Sequence, residues 1–229
     1  MDLEINLPEV VPAMTLPNTV FFPQALLPLH IFEPRYRHML KDVLASNRLF
    51  AVAGLDSARA NLADQFEPPH RIASVGIVRA CQENDNGTSN LLLQGLCRVE
   101  ILEVLTDEPY RRLRIKALPS LPLDEAETEV TTRLHQDLAK LIGVKQKLGA
   151  TVPPEMAAFL RGIEDPETLV DLAAFSLCDN PGLKQKLLET LDIRARLELF
   201  TRHLRREIDE IRLRQKLQGH LPDDRISHN

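Results

Sequence analysis

Hydrophobic positions in the first half of the chain form short runs that are typical of β-strands rather than long helices. Asn86-Gly87 lies between two of these runs, and because this pair accepts positive φ angles it predicts a β-hairpin. Residues 110–118 alternate between polar and apolar side chains, which is typical of a strand with one solvent-exposed face. The predicted strands are residues 26–31, 48–55, 71–82, 90–104 and 110–118.

One predicted helix interrupts these strands. Pro34 suits the first turn of a helix over residues 34–46, because its missing N–H has no hydrogen bond to lose there. Pro28, inside the first run, favours an edge strand or a bend. Short strands closed on themselves, with a helix across one opening, predict a small antiparallel β-barrel. The helix positions that we expect to be buried are Tyr36, Leu40, Val43 and Leu44.

The hydrophobic period changes after residues 118–125, where two prolines end the strand pattern. Beyond them the spacing is helical, and Asp165-Pro166 and Asn180-Pro181 each place a capping side chain before a proline, which predicts a helix start. Asp192 is placed to cap the last and longest helix. The apolar stripe of that helix is Ile193, Leu197, Phe200, Leu204, Ile208 and Ile211.

These patterns together predict an α+β protein with two subdomains. A β-barrel with one inserted helix occupies residues 1–121, and a helical bundle that ends in a long helix occupies residues 122–229. We read residues 56–69 as a surface loop and expect the tail from Gly219 to fray.

Composition narrows the class of protein. A chain of 229 residues with 44% hydrophobic residues can bury a substantial core, and its net charge of −5 disfavours nucleic acid as a partner. No apolar run approaches the roughly 18 residues that cross a bilayer, and the N-terminus lacks the pattern of a secretory signal. Cys81, Cys97 and Cys178 are widely spaced, which predicts reduced, mostly buried thiols in a cytoplasmic protein.

The sequence carries no compact catalytic motif. It has no G-x-x-x-x-G-K-[ST] phosphate loop, no G-x-S-x-G nucleophile turn and no H-E-x-x-H zinc motif. The acidic residues between 124 and 129 are best explained as favourable charge at a helix N-terminus. We therefore predict no catalytic, cofactor-binding or metal-binding residues, although a small-molecule enzyme that uses the barrel mouth stays open as an alternative.

The last predicted helix, residues 193–217, is unusually basic for this chain. It carries eight Lys and Arg residues against four Asp and Glu residues. Such a helix could bind a polyanion such as RNA, or it could present a solvated face that attracts the acidic remainder of its own chain. The second interpretation is favoured, and self-association through this helix into a homo-oligomer stays open.

Several segments occur in an order and spacing that point to one family. They are LPNTVFFPQALLPLHIFEPRYRHML (16–40), VGIV (75–78), LLLQGLCRVEI (91–101), VPPEM (152–156), residues 165–171 and LLETLDIRARLELF (187–200). Together these segments resemble the N-terminal, substrate-binding domain of the ATP-dependent Lon protease and its stand-alone relatives. The resemblance implies a PUA-like β-barrel followed by a helical bundle.

The resemblance also implies a function. We expect a non-catalytic module that binds unfolded or degron-bearing polypeptides or a partner protein, and that acts as an adaptor in proteolysis. In full-length Lon the long helix leads into an ATPase domain and a Ser-Lys protease domain. Because the chain ends at Asn229, we expect neither activity here.

Capture of polypeptides requires exposed apolar or amphipathic surface rather than a catalytic constellation. The candidate binding residues are Phe21, Phe22, Arg35 and His38. Core packing is the alternative for the two phenylalanines, and simple solvation is the alternative for Arg35 and His38.

Overall fold

The computed structural model describes residues 7–60, 66–106, 108–122, 125–149 and 152–218. Its N-terminal half holds six strands, and the strands predicted from the sequence are all present. Their bounds are β1 Val10–Leu16, β2 Leu26–Ile31, β3 Leu49–Gly54, β4 Ile72–Glu83, β5 Ser89–Thr106 and β6 Arg112–Ala117.

The six strands form one sheet in the order β2-β5-β4-β3-β1-β6. Because β5 also pairs with β6, the pairing returns to β5 and joins five strands into a closed ring, with β2 left at the edge. The edge position predicted for the strand that contains Pro28 is therefore confirmed. The predicted antiparallel pairing applies to five of the six strand pairs, whereas β1 and β3 are parallel and pair Ala13 with Ala51. The long connection through β2 and α1 (Pro34–Leu44) makes this parallel pairing feasible.

The strands of the ring bury side chains on both faces. In β3, Leu49, Ala51 and Ala53 belong to one apolar cluster, whereas Phe50 and Val52 belong to another. The first cluster draws its residues from β1, β3, β4, β5 and β6, so it fills the interior of the ring. The second cluster lies outside the ring and includes residues of α1 and of the C-terminal helices.

Seven helices are described, two of them in the N-terminal half. They are α1 Pro34–Leu44, α2 Ser57–Ala60, α3 Glu125–Lys147, α4 Pro154–Arg161, α5 Pro166–Leu177, α6 Pro181–Glu189 and α7 Ile193–Gln218. The predicted α+β order, a sheet followed by helices, is confirmed. The short α2 lies in the segment read as a loop, part of which falls outside the described residues, as does the tail from Gly219. Within the described residues, no helix is long and apolar enough to cross a membrane.

Helix starts in the C-terminal half follow the predicted caps. Asp165 accepts a hydrogen bond from the Thr168 N–H, and Asn180 accepts one from the Leu183 N–H. Asp192 accepts one from the Ala195 N–H at the start of α7. Each side-chain oxygen satisfies a backbone donor that has no partner within its own helix.

A cluster of charged side chains joins the sheet to the helices. We call Arg98, Ser120, Glu167, Asp171 and Arg196 the junction cluster. Arg98 Nη2 donates to Asp171 Oδ1 at 2.6 Å, and Arg196 Nη1 donates to the same oxygen at 2.8 Å. Ser120 Oγ accepts from Arg196 Nη2 at 2.8 Å and donates to Glu167 Oε1. Arg196, one of the eight basic residues of the last helix, pairs with acidic residues of its own chain, as the favoured interpretation expects, but it is fully buried and does not lie on a solvated face.

Candidate functional site

Helix α1 packs one face on the sheet and leaves the other exposed. Tyr36, Leu40 and Val43 are buried as predicted. Leu44 is 36% exposed, so the prediction that it is buried is wrong. It is the last residue of α1, where the chain turns away from the core.

Phe21 and Phe22 do not lie on a binding surface. Their side chains are 1% and 0% exposed and belong to the core cluster outside the ring. Their backbones are held as well, since Phe21 O accepts a hydrogen bond from Ser74 Oγ at 2.6 Å. The prediction that these phenylalanines are exposed is therefore wrong, because the segment that carries them packs directly on the sheet.

Arg35 is half-buried, and each of its three guanidinium nitrogens donates a hydrogen bond to a carboxylate. Its Nη1 and Nη2 atoms donate to the two carboxylate oxygens of Glu67 at 2.9 and 3.0 Å, and its Nε donates to Glu33 at 2.9 Å. The hydrogen bond with Glu67 raises the pKa of Arg35 above its ordinary value. The guanidinium carbon lies 4.5 Å from the ring centroid of Tyr36 and 5.5 Å from that of Phe66. Arg35 thus positions its neighbours rather than standing free in solvent.

A second arginine, Arg111, binds the backbone at Phe66. Arg111 donates to Phe66 O at 2.7 Å and to Glu67 O at 2.6 Å. The Phe66 side chain is nevertheless 65% exposed. An aromatic ring is therefore presented to solvent on a segment whose backbone Arg111 binds and whose Glu67 carboxylate Arg35 binds.

A second exposed aromatic ring precedes α1. Phe32 is 61% exposed and stacks on His30, with ring centroids 6.1 Å apart. His30 Nδ1 lies 2.7 Å from Asn90 Oδ1, which ties this pair to β5. His38 is exposed, as predicted. We call His30, Phe32, Arg35, His38 and Phe66 the α1 surface.

The α1 surface combines aromatic rings with fixed charge. Glu33, next to Phe32 in the chain, shares the Arg35 guanidinium with Glu67, next to Phe66. The Phe66 ring thus contacts the Arg35 guanidinium directly, and Phe32 is connected to it through its chain neighbour Glu33. Exposed rings of this kind suit contact with apolar side chains of a partner. Sequence reasoning missed both rings. The signal available for Phe32 was its position between a strand of apolar residues and a helix-starting proline.

The described residues show little that is typical of a reaction centre. No group of three or more His, Cys, Asp or Glu side chains is arranged there to hold a metal ion. Burial raises the pKa of the Cys97 thiol to about 11, so it is a poor nucleophile at neutral pH. Burial also raises the pKa of Cys81 and Cys178.

One cavity lies between the β3–α2 connection and α6. It has a volume of about 630 Å³, and its lining includes Asp56, His70 and Gln185. Gln185 donates to Ile72 O at 3.1 Å and to Glu189 at 2.8 Å, so it links the helices to the sheet. Gln185 is therefore part of the packing between the two halves.

The sequence and fold of this chain are similar to those of known proteins. Residues 10–206 match the family described as the ATP-dependent protease La (LON) substrate-binding domain. The N-terminal domain of Mycobacterium avium complex Lon protease superposes with a TM-score of 0.64 at 17% identity, covering 88% of this chain and 98% of that domain. The Lon N-terminal domain protein from Xanthomonas campestris gives a TM-score of 0.57 at 16% identity, covering 83% of this chain and 96% of that one.

Sequence relatives point the same way. The Lon protease of Dictyoglomus thermophilum is 30% identical over 224 residues, which cover 96% of this chain and 27% of the relative. The Lon protease of Syntrophus aciditrophicus is 30% identical over 223 residues, which cover 96% of this chain and 28% of the relative. The chain thus spans about a quarter of the length of these relatives. With the family match over most of its residues, the chain belongs to the LON substrate-binding domain family.

Proposed function

We propose that this chain is a non-catalytic module that binds unfolded or degron-bearing polypeptides through the α1 surface. The observation that carries the proposal is the exposure of Phe32 and Phe66, at 61% and 65%, on positions fixed by hydrogen bonds and stacking. Exposed aromatic anchors on a rigid frame contribute much of the binding energy in protein interfaces. Membership of a substrate-binding family supports the same function.

The edge of the sheet supports recognition of an extended chain. Within the described residues, β2 pairs only with β5, so its other side carries unpaired backbone groups. An extended polypeptide can pair with such an edge while its side chains contact neighbouring apolar groups. Leu26 on β2 is 49% exposed, and Phe32 follows the strand directly.

The proposal predicts a specific loss on mutation. Binding of a fluorescein-labelled, permanently unfolded protein, such as reduced and carboxymethylated α-lactalbumin, is measured by fluorescence anisotropy. The double variant Phe32→Ala, Phe66→Ala is expected to bind roughly tenfold more weakly, because it removes two aromatic anchors. Phe159→Ala is the matched control, since Phe159 is also 61% exposed but lies on α4.

Two results would contradict this proposal. One is an equal loss in the Phe159→Ala variant, which would show that exposed apolar area alone matters. The other is the absence of binding by the unmodified chain.

We also propose that this chain acts in the cytoplasm as an adaptor that delivers captured polypeptides to a protease. This role predicts that adding this chain raises the rate at which a Lon protease degrades the captured unfolded protein. The Phe32→Ala, Phe66→Ala variant should give no such increase, whereas Phe159→Ala should behave as the unmodified chain.

A further inference from the structure

Three basic side chains line one pocket next to the β4–β5 hairpin. The pocket has a volume of about 270 Å³, and Arg37, Lys41 and Arg48 contribute to its lining. None of the three makes an ion pair or a side-chain hydrogen bond with any residue that the structure describes. Most other arginines of the described chain pair with a carboxylate or a carbonyl, so this convergence of free cations is unusual within the molecule. We call it the basic pocket.

The surrounding residues fix the shape of the basic pocket. Arg37 and Lys41 lie one turn apart on α1 and therefore project from the same side of the helix. The Arg37 guanidinium lies so close to Gly87 in the hairpin turn that a β-carbon there would collide with it. Cys81 near the end of β4 and Ser89 at the start of β5, where it pairs with Glu83, complete the wall.

Arg48 occupies its place at a conformational cost. Its φ angle is +63°, in the left-handed region that glycine and asparagine accept far more readily than arginine. Arg48 lines the same pocket as Cys81. Burial raises the pKa of the Cys81 thiol, and the hydrogen bond with Ser89 and then the charge of Arg48 act to lower it. A strained residue with an unpaired charge directed into a pocket suggests a role in binding.

We propose that the basic pocket binds the carboxylate of an acidic side chain in an extended polypeptide. Arginine and lysine supply strong hydrogen-bond donors for carboxylate oxygens, and the volume suits one or two such side chains rather than a long polyanion. Glu83 is the one acidic residue in the lining, so the pocket keeps an excess of two positive charges. The net charge of −5 on the whole chain disfavours nucleic acid as the occupant.

The pocket lies beside the α1 surface. Ile31 at the end of β2 pairs with Ser89 of the pocket wall, and Phe32 follows Ile31 directly. A polypeptide whose apolar residues contact Phe32 therefore has the basic pocket within reach of a neighbouring acidic residue. The inference rests on the proposed function only in taking the carboxylate to be carried by a polypeptide.

The test compares two labelled peptides that share their aromatic residues and differ only in carrying Glu or Gln at three positions. Both peptides are acetylated and amidated, so that side-chain carboxylates alone differ. The unmodified chain is expected to bind the Glu peptide roughly tenfold more tightly at low salt, with the preference shrinking as salt screens the charges.

Arg48→Asn is the decisive variant, because asparagine tolerates the left-handed conformation while removing the charge. It is expected to keep or raise the melting temperature, to weaken binding of the Glu peptide roughly fivefold and to leave the Gln peptide unchanged. Lys41→Gln, at an exposed position of the pocket lining, provides a second variant with the same expected pattern. Arg133→Gln is the control, since Arg133 is exposed on α3 and, among the residues that the structure describes, forms its ion pair with Glu129.

The outcomes separate this inference from the proposed function. Equal affinity for the two peptides overturns the inference, while binding of unfolded α-lactalbumin independently decides on the proposed function. A single-stranded RNA oligonucleotide that binds more tightly than the Glu peptide, and that loses affinity in Arg48→Asn, would also overturn it. An equal loss in Arg133→Gln would show a general charge effect and would overturn it as well.

Discussion

Asp171 is the residue on which the junction cluster depends. Two arginine side chains, 2% and 0% exposed, share its Oδ1 atom at 2.6 and 2.8 Å. Burial raises the pKa of Asp171, while the charges of Arg98 and Arg196 act in the opposite direction and favour the carboxylate. The other acidic partner, Glu167, is 34% exposed, so Asp171 is the buried charge that balances the two guanidinium groups.

Replacing Asp171 with Asn should therefore destabilise the protein strongly. The substitution keeps the shape but leaves two buried cations with a single, partly exposed carboxylate. We expect the free energy of unfolding, measured by urea denaturation, to fall by about 3–5 kcal/mol. Glu129→Gln removes an exposed ion pair with Arg133 and should change it by less than about 0.5 kcal/mol. Similar values for the two variants would show that the buried pairing contributes no special stability.

Individual side chains were the level at which sequence reasoning was weakest. The charge count of the last helix favoured a solvated face, yet Arg196 lies three residues after Ile193 and four before Phe200, at the border of the apolar stripe. A border position can be buried when another element supplies a carboxylate, and that element, α5, is remote in sequence. Arg35 was correctly placed near the surface, but its partner Glu67 could not be inferred from a local pattern.

At the scale of elements, the sheet depends on a close approach between β5 and the segment that precedes β2. The Gly95 N–H donates to Ala25 O, and Gly95 O accepts from the Gln24 N–H, both at 2.9 Å. A β-carbon on Gly95 would overlap the Phe22 carbonyl oxygen. The requirement for glycine here is thus steric and comes from a backbone that carries two buried phenylalanines.

Gly95→Ala is expected to lower the free energy of unfolding by about 2 kcal/mol, because the phenylalanine segment must shift to make room. Gly162→Ala is a matched control, with a φ angle of −84° and its nearest atom 3.4 Å from an added β-carbon. It should change the free energy of unfolding by less than about 0.5 kcal/mol. Thermal and urea denaturation of both variants would test this. If Gly95→Ala left the free energy of unfolding unchanged, the close contact between Gly95 and the Phe22 carbonyl would not exist in solution.

Some helices and strands could be predicted from local sequence patterns, and others could not. The helices α5, α6 and α7 were predictable because each begins with a capping side chain, and α7 also carries a long apolar stripe. Strand β1 was missed. Its side chains are buried on both faces of the ring wall, which removes the alternation of apolar and polar positions, and Pro12 interrupts its apolar run. Its parallel pairing with β3 depends on non-local contacts that no local pattern encodes.

At the scale of the whole molecule, the two halves share one core. The apolar cluster outside the ring includes Phe22 and Leu93 from the sheet half together with Leu138 and Leu187 from the helical half. Hydrogen bonds cross the same boundary, since Arg98 Nε donates to Leu188 O at 3.0 Å. Neither half can expose this surface without losing contacts of the other. The division at residue 121 is therefore expected to separate two packing layers rather than two independently stable units.

This shared core predicts that the two halves unfold together, and the chain provides separate probes for them. Its two tyrosines, Tyr36 and Tyr110, both lie in the sheet half, and it has no tryptophan, so tyrosine emission reports on that half. Circular dichroism at 222 nm reports mainly on α3 to α7. Urea transitions followed by the two probes should coincide, which is the signature of two-state unfolding. The Asp171→Asn variant should move both midpoints equally. A helical transition that precedes the tyrosine transition would instead show that the junction cluster and shared core do not couple the halves.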